Sequence, residues 1–290
     1  MFDSVLDAIE TWARETLTGM IDSNVSSMFL DVNEKTASIA GEVSASPADW
    51  NANIFSLVQG ISDNVILPIA GIVITYVLVV ELITMITEKN NFHDMQTFDF
   101  FAYFFKAFVA VLILSNTFTI IMALFDVGQH MVTQASGLIG TQTAIDPATT
   151  LDKIDEALKD MEIGELCMLA MESALVSLGM KILSVLITVI IYGRMIEIYL
   201  TASIAPIPMA TLANREWGQI GTNYLRGMAA LAVQGFFIIV CVGIYAVLIA
   251  SIPDSADIHG ALFEIAGMTI LLCFSLFKTY SLARSVFAAH

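Results

Sequence analysis

Apolar residues fall in long, almost uncharged runs separated by short polar stretches. A helix needs about 20 such residues to cross a hydrocarbon core of about 30 Å. Five runs reach that length: 65–86, 104–125, 166–191 with a helical extension to 203, 228–249 and 262–283. The pattern predicts an all-α, polytopic transmembrane protein of about five spans. An extracytoplasmic region over 1–64 precedes a transmembrane helical domain over 65–290, and 126–165 forms an external loop.

The first 22 residues have a different pattern. Phe2, Val5, Leu6, Ile9, Trp12, Ala13, Leu17, Met20 and Ile21 recur every three or four positions, the signature of an amphipathic helix. Asp3, Asp7, Glu10, Glu15 and Asp22 mostly take the other face. An acidic polar face is poor for anionic lipid, so this helix is expected to pack on a partner or on the chain's own helices. With no basic n-region and no continuous apolar core, it does not read as a cleavable signal peptide. Glu34 to Asn53 is small and polar and reads as a connector. Trp50 stands before the first span as an interfacial anchor. Residues 147–162 carry the pattern of a short capped helix.

Composition agrees: 57% of residues are hydrophobic, above the roughly 45–50% of soluble domains. The net charge of −16 gains meaning only with a topology. Basic residues of short loops stay cytoplasmic, whereas acids matter little. Lys89, Lys106, Arg194, Arg215, Arg226, Lys278 and Arg284 gather at the segment 1–2, segment 3–4 and C-terminal regions. Five spans then place the N-terminus outside and the C-terminus in the cytoplasm. Folding 166–213 into two spans at Tyr192-Gly193-Arg194 would put Arg215, Arg226, Lys278 and Arg284 outside, and ranks second. The exterior is acidic: ten acids against two bases over 1–64, and eight against two over 126–165. Such surfaces repel nucleic acid, so any contact with it is transient and lies elsewhere.

Chemistry for catalysis is missing from the motifs. Cys167, Cys241 and Cys273 are far apart, and His93, His130, His259 and His290 are scattered, with no HExxH or GxSxG. No catalytic residue, cofactor or metal site is expected. Ionisable residues inside spans are the better pointers, because charge near the bilayer centre is costly. Glu81, Glu172 and Lys181 are such residues. Glu172 and Lys181 lie nine positions apart, half a turn out of phase, so each needs a partner on another helix or another subunit. Lys181 shares a stripe with Ser173, Ser177 and Ser184, a surface that lets helices approach. Arg194 and Glu197 are spaced for a local ion pair.

The most distinctive stretch runs from Ile198 to Phe237. Pro206 and Pro208 remove two backbone donors and disfavour the α region before them, which predicts a broken helix. Arg215, Glu216 and Trp217 follow, then a restart through Tyr224 and Arg226. The physical reading is a re-entrant or interfacial cytoplasmic elbow, with Trp217 as its anchor.

The Ala205-Pro206-Ile207-Pro208 turn after a long helix, the small apolar run leading to Trp217, and the restart at Leu225-Arg226-Gly227 resemble the TrbL-like conjugal transfer proteins. These are the polytopic inner-membrane component of type IV secretion systems. The resemblance implies a non-enzymatic structural or channel subunit in the cytoplasmic membrane, supporting substrate translocation and assembly. It implies other inner-membrane subunits, secretion ATPases and membrane lipid as partners, with further copies of the chain in a homo-oligomer. Structural roles for Pro206, Pro208, Arg215 and Trp217 follow from it. The chain ends soon after the fifth span, so functions carried by a large C-terminal soluble domain in longer members are not expected. Two other classes are a secondary transporter or ion channel, which predicts paired helix breaks in a repeat, and a membrane scaffold. The sequence offers one break and no repeat.

Overall fold

The computed structural model describes residues 2–88, 97–139, 156, 158–159, 161–251 and 258–289, and every regular element among them is helical. In chain order these are α1 (Phe2–Ser44), α2 (Pro47–Trp50), α3 (Ala52–Ile61), a π-helical turn (Ser62–Ile66) and α4 (Leu67–Glu88). Then come α5 (Thr97–Ser115), α6 (Thr117–Ile139), α7 (Ile163–Ser203), α8 (Pro206–Ala210), a 3-10 turn (Thr211–Ala213), α9 (Gly218–Ala250) and α10 (Ile258–Val286). Five helices are long and apolar enough to cross a membrane: Ala52–Glu88, Thr97–Ser115, Ile163–Ser203, Gly218–Ile249 and Ile258–Val286. The protein is an all-α, multi-pass membrane protein.

Several boundaries differ from the sequence reading for local reasons. The connector expected at Glu34 to Asn53 is helical as far as Ser44, because Val32, Ile39 and Val43 recur on one face and are buried. What ends and restarts the chain there are caps: Ser46 Oγ accepts from the Asp49 amide at 3.1 Å, and Asn51 Oδ1 from the Asn53 and Ile54 amides at 3.1 and 3.0 Å. Helix also precedes Val65, since the π turn joins α3 to α4. The run 104–125 is interrupted at Asn116, whose side chain donates to the Leu112 carbonyl at 2.8 Å and competes with the helical ladder. Residues 126–139, expected in a loop, continue as α6. By contrast, Tyr192-Gly193-Arg194 contains no break: α7 is one helix of 41 residues, so the two-span arrangement of 166–213 does not form. Most of the helix expected at 147–162, with Lys89, His93 and His290, lies outside the described residues.

The chain divides into two compact units. The first comprises Met1–Glu42, Gln134–Ile191 and Ile238–Lys278. Here α1 runs alongside α7 in the same direction. Arg14 Nη1 donates to the Met161 carbonyl at 2.8 Å, Asn24 Nδ2 to Ser173 Oγ at 3.0 Å, and Lys35 Nζ to Thr188 Oγ1 at 3.2 Å. Ser27 and Ser177 hydroxyls meet at 3.4 Å. Beside this polar seam Ile21, Val25, Met28 and Val32 are buried, so α1 docks on α7 from residue 21 onward, whereas Val5, Leu6, Ile9, Trp12 and Met20 of the amphipathic face expected over the first 22 residues are exposed. Residues of α10 pack here too, with His259 against Glu172 and the Tyr245 and Thr269 hydroxyls 2.8 Å apart.

The second unit comprises Val43–Thr133, Tyr192–Phe237 and Thr279–His290. Its larger core joins Phe118, Ile121 and Phe125 of α6 to Met195, Ile198 and Tyr199 of α7 and to Met228 and Leu231 of α9. Helices α6 and α9 touch through backbone, for a Cβ on Gly128 would stand 2.5 Å from the Ala232 carbonyl oxygen. Trp50 packs on Tyr192 and Tyr199, at centroid distances of 5.4 and 6.0 Å. A smaller core sets Ala210 of α8 against Ala70 and Ile74 of α4 and Leu114 of α5. That core locates the candidate site.

Candidate functional site

Between α7 and α9 the chain makes the expected elbow, but the prolines act differently from expectation. Ala205, just before Pro206, keeps right-handed helical backbone (φ −48°, ψ −38°). Pro206 opens α8, where its missing N–H does no harm. The path tightens rather than swings out, with the Ala205 and Ile207 amides reaching carbonyls only three residues back. The extended residue that reverses the chain is Asn214 (φ −104°, ψ 144°). Its Oδ1 accepts from the Glu216 and Trp217 amides at 2.8 and 3.0 Å, capping the turn that leads into α9.

The elbow folds back along α4. Ala210 and Ile207 pack among Leu67, Ala70, Val73 and Ile74, within the apolar run of α4 rather than beyond its end. Irregular backbone at such a level survives only if its polar groups are satisfied by protein or by a wet cavity. Side chains meet that demand. Thr211 Oγ1 donates to the Pro208 carbonyl at 2.7 Å and accepts from the Gly221 amide at 3.1 Å. Tyr224 donates its hydroxyl to the Thr201 carbonyl at 3.0 Å. A Cβ on Gly221 would lie 2.6 Å from the Pro208 oxygen, so glycine permits the fold-back.

Glu81 of α4 ties the elbow down. Its Oε2 accepts from Asn214 Nδ2 at 3.2 Å and the Arg215 amide at 3.4 Å, while Oε1 accepts from Lys106 Nζ of α5 at 2.5 Å. Tyr103 donates to the Leu78 carbonyl at 2.9 Å and fixes α5 against α4. Lys106, counted above among the basic residues that set the topology, is an ion-pair partner at mid-length of α5. Trp217, expected to anchor the elbow, stacks on Tyr76 at 5.5 Å with planes 22° apart. The Arg215 guanidinium reaches Glu88 at 3.6 Å, but both side chains are exposed and such a pair is worth under about 1 kcal/mol. It is the Arg215 backbone that the site uses.

Beside the elbow lies a hollow of about 280 Å³, lined by Glu81, Thr84, Glu88, Asp99, Lys106 and Arg215 among others. The opposite faces of α4 and α5 are apolar and exposed, with Ile72, Tyr76, Phe101, Phe104 and Phe108. Both helices thus present a greasy back and a polar front.

The other expected residues are not drawn into this site. Arg194 does not pair with Glu197. It is buried and donates Nη2 to the Leu231 carbonyl of α9 at 3.3 Å, and among the described residues its Nε has no hydrogen-bond partner. Gly235 admits the guanidinium, since a Cβ there would be 3.0 Å from Nη2. Glu197 faces the Tyr280 side chain instead. In the first unit, Glu172 is taken by His259. Lys181 leaves the serine stripe: Ser173 and Ser177 are buried against α1, whereas Lys181 is exposed. No group of three or more metal-capable side chains occurs among the described residues. Asn214 and Thr211 were missed by a reading that followed charges. The signal was there, an Asn three residues before Trp217 and the restarting helix.

A family model described as TrbL/VirB6 plasmid conjugal transfer like protein matches residues 32–206. The match takes in Glu81, Lys106, Glu172, Lys181, Arg194 and Glu197 and stops at Pro206, short of Arg215 and Trp217. No curated protein and no solved structure matches the chain.

Proposed function

The chain belongs to the TrbL/VirB6-like family of plasmid conjugal transfer proteins, and on that premise we propose that it is a channel-forming subunit of a type IV secretion machine in the cytoplasmic membrane. Its elbow and polar hollow support substrate passage, and its surfaces assemble with other inner-membrane subunits and the secretion ATPases. The N-terminus lies outside and the C-terminus in the cytoplasm, on the distribution of basic residues. The observation that carries the reading is the elbow, held by Glu81 beside an open hollow lined by Glu81, Glu88, Asp99, Lys106 and Arg215, between two helices that are polar on one face and apolar on the other. That arrangement suits helices that line an aqueous route on one side and meet lipid on the other. Acidic and basic side chains are interspersed around the hollow, which suits passage of a polar substrate.

The test is conjugative mating. Replacing Glu81 and Trp217 together with alanine should drop transfer to the level of a strain lacking the protein, while membrane insertion stays normal. Unchanged transfer frequency overturns the role of the elbow. Substrate-coupled flux by the purified protein alone in liposomes would overturn the secretion reading in favour of a transporter.

A further inference from the structure

Two of the exposed charges on the spanning helices of the first unit, Lys181 and Glu264, stand on apolar faces. Lys181 of α7 is flanked by Leu178, Ile182 and Val185, and Glu264 of α10 by Phe263, Gly267 and Leu271, all exposed. Neither charge has an ion-pair partner among the described residues. A lone charge facing lipid is costly, and here the two signs are opposite.

Their depths agree. Within this unit His259 meets Glu172, while Thr269 and Leu272 line a small cavity with Met180, Ser184 and Ile187. Helices α7 and α10 therefore run in the same direction with matched levels. At 1.5 Å per residue, Lys181 and Glu264 lie within about 6 Å of each other along the helix axes, about the reach of a lysine side chain. Rotation about an axis parallel to the helices leaves every residue at its own depth, so a charge pair between copies requires this coincidence.

We propose that α7 of one copy docks on α10 of a second copy through a Lys181–Glu264 ion pair set in the apolar faces of the two helices. A contact of α7 with α7 would oppose two lysines and is disfavoured by the same charges. The contact rests on membrane insertion and not on the secretion reading.

Thiol cross-linking in native membranes tests it, with Cys167, Cys241 and Cys273 replaced by serine. Lys181→Cys combined with Glu264→Cys, treated with a short bismaleimide that restores the lost lysine length, should give a cross-linked dimer or ladder, whose highest rung counts the copies. Co-expressing the two single variants should give a dimer that neither forms alone. Monomer only, a bond within one chain, or a dimer from Lys181→Cys alone overturns the proposal. In a second measurement, Lys181→Glu should lose the detergent-extracted oligomer and Lys181→Glu with Glu264→Lys should regain it, both at normal membrane levels. Loss without recovery in the swap overturns it equally. Because neither readout involves DNA or protein transfer, a positive ladder with an unaltered mating defect would separate this contact from the secretion reading.

Discussion

Both units hide polar groups among apolar helices, for different ends. In the first, Asn24, Ser27 and Lys35 join α1 to α7 while both backbones remain intact helices. A hydroxyl that loses its partner there turns to its own helix, as Ser173 and Thr188 already do toward the Ala170 and Ser184 carbonyls. In the second, Glu81, Thr211 and Asn214 serve amides and carbonyls that the broken helix leaves open. Those groups have no second choice. The contrast teaches that a polar side chain in such a fold matters according to the backbone it satisfies, more than according to its charge.

Four substitutions bear on the contrast, the first three at or against the elbow. Glu81→Ala should cost most, about 3 kcal/mol, because it removes the charged acceptor of both elbow contacts; thermal unfolding in detergent reads it, and Glu81→Gln should fall between. Gly221→Ala should cost about 2 kcal/mol by driving a methyl into the Pro208 carbonyl, with limited proteolysis showing new cleavage near residues 211–217. Asn214→Ala should cost about 1–2 kcal/mol as a lost cap, and hydrogen exchange at the Glu216 and Trp217 amides should quicken. Asn24→Ala in the first unit should cost least, about 0.6 kcal/mol, the average of interhelical side-chain bonds in membranes. Should Asn24→Ala prove as damaging as Asn214→Ala, the distinction between the two kinds of polar group collapses.

Much of this was legible in the chain. Uncharged runs announced the spanning helices, and Pro206 and Pro208 announced the elbow, because both signals are local. Glu81 stood out as an acid in an apolar run. Its partners did not, since Lys106 and Asn214 reach it across 25 and 133 residues of sequence. Arg194 misled for the same reason: Glu197 is near in sequence, yet burial turned the guanidinium to Leu231 on another helix. The stretch 34–44 looked like a connector because its residues are small and polar, and only packing along Ile39 and Val43 made it helix.

The 133-residue separation between Glu81 and Asn214 also sets a timetable for synthesis. At about 5–20 residues per second, roughly 7–27 s pass between the emergence of the two from the ribosome. Lys106 arrives only 25 residues after Glu81 and can neutralise it within a few seconds. Insertion then proceeds with a provisional pair in lipid, and the elbow completes it last. A nascent chain arrested before residue 214 would carry α4 and α5 already married, waiting for a third element that turns an inserted hairpin into a working part.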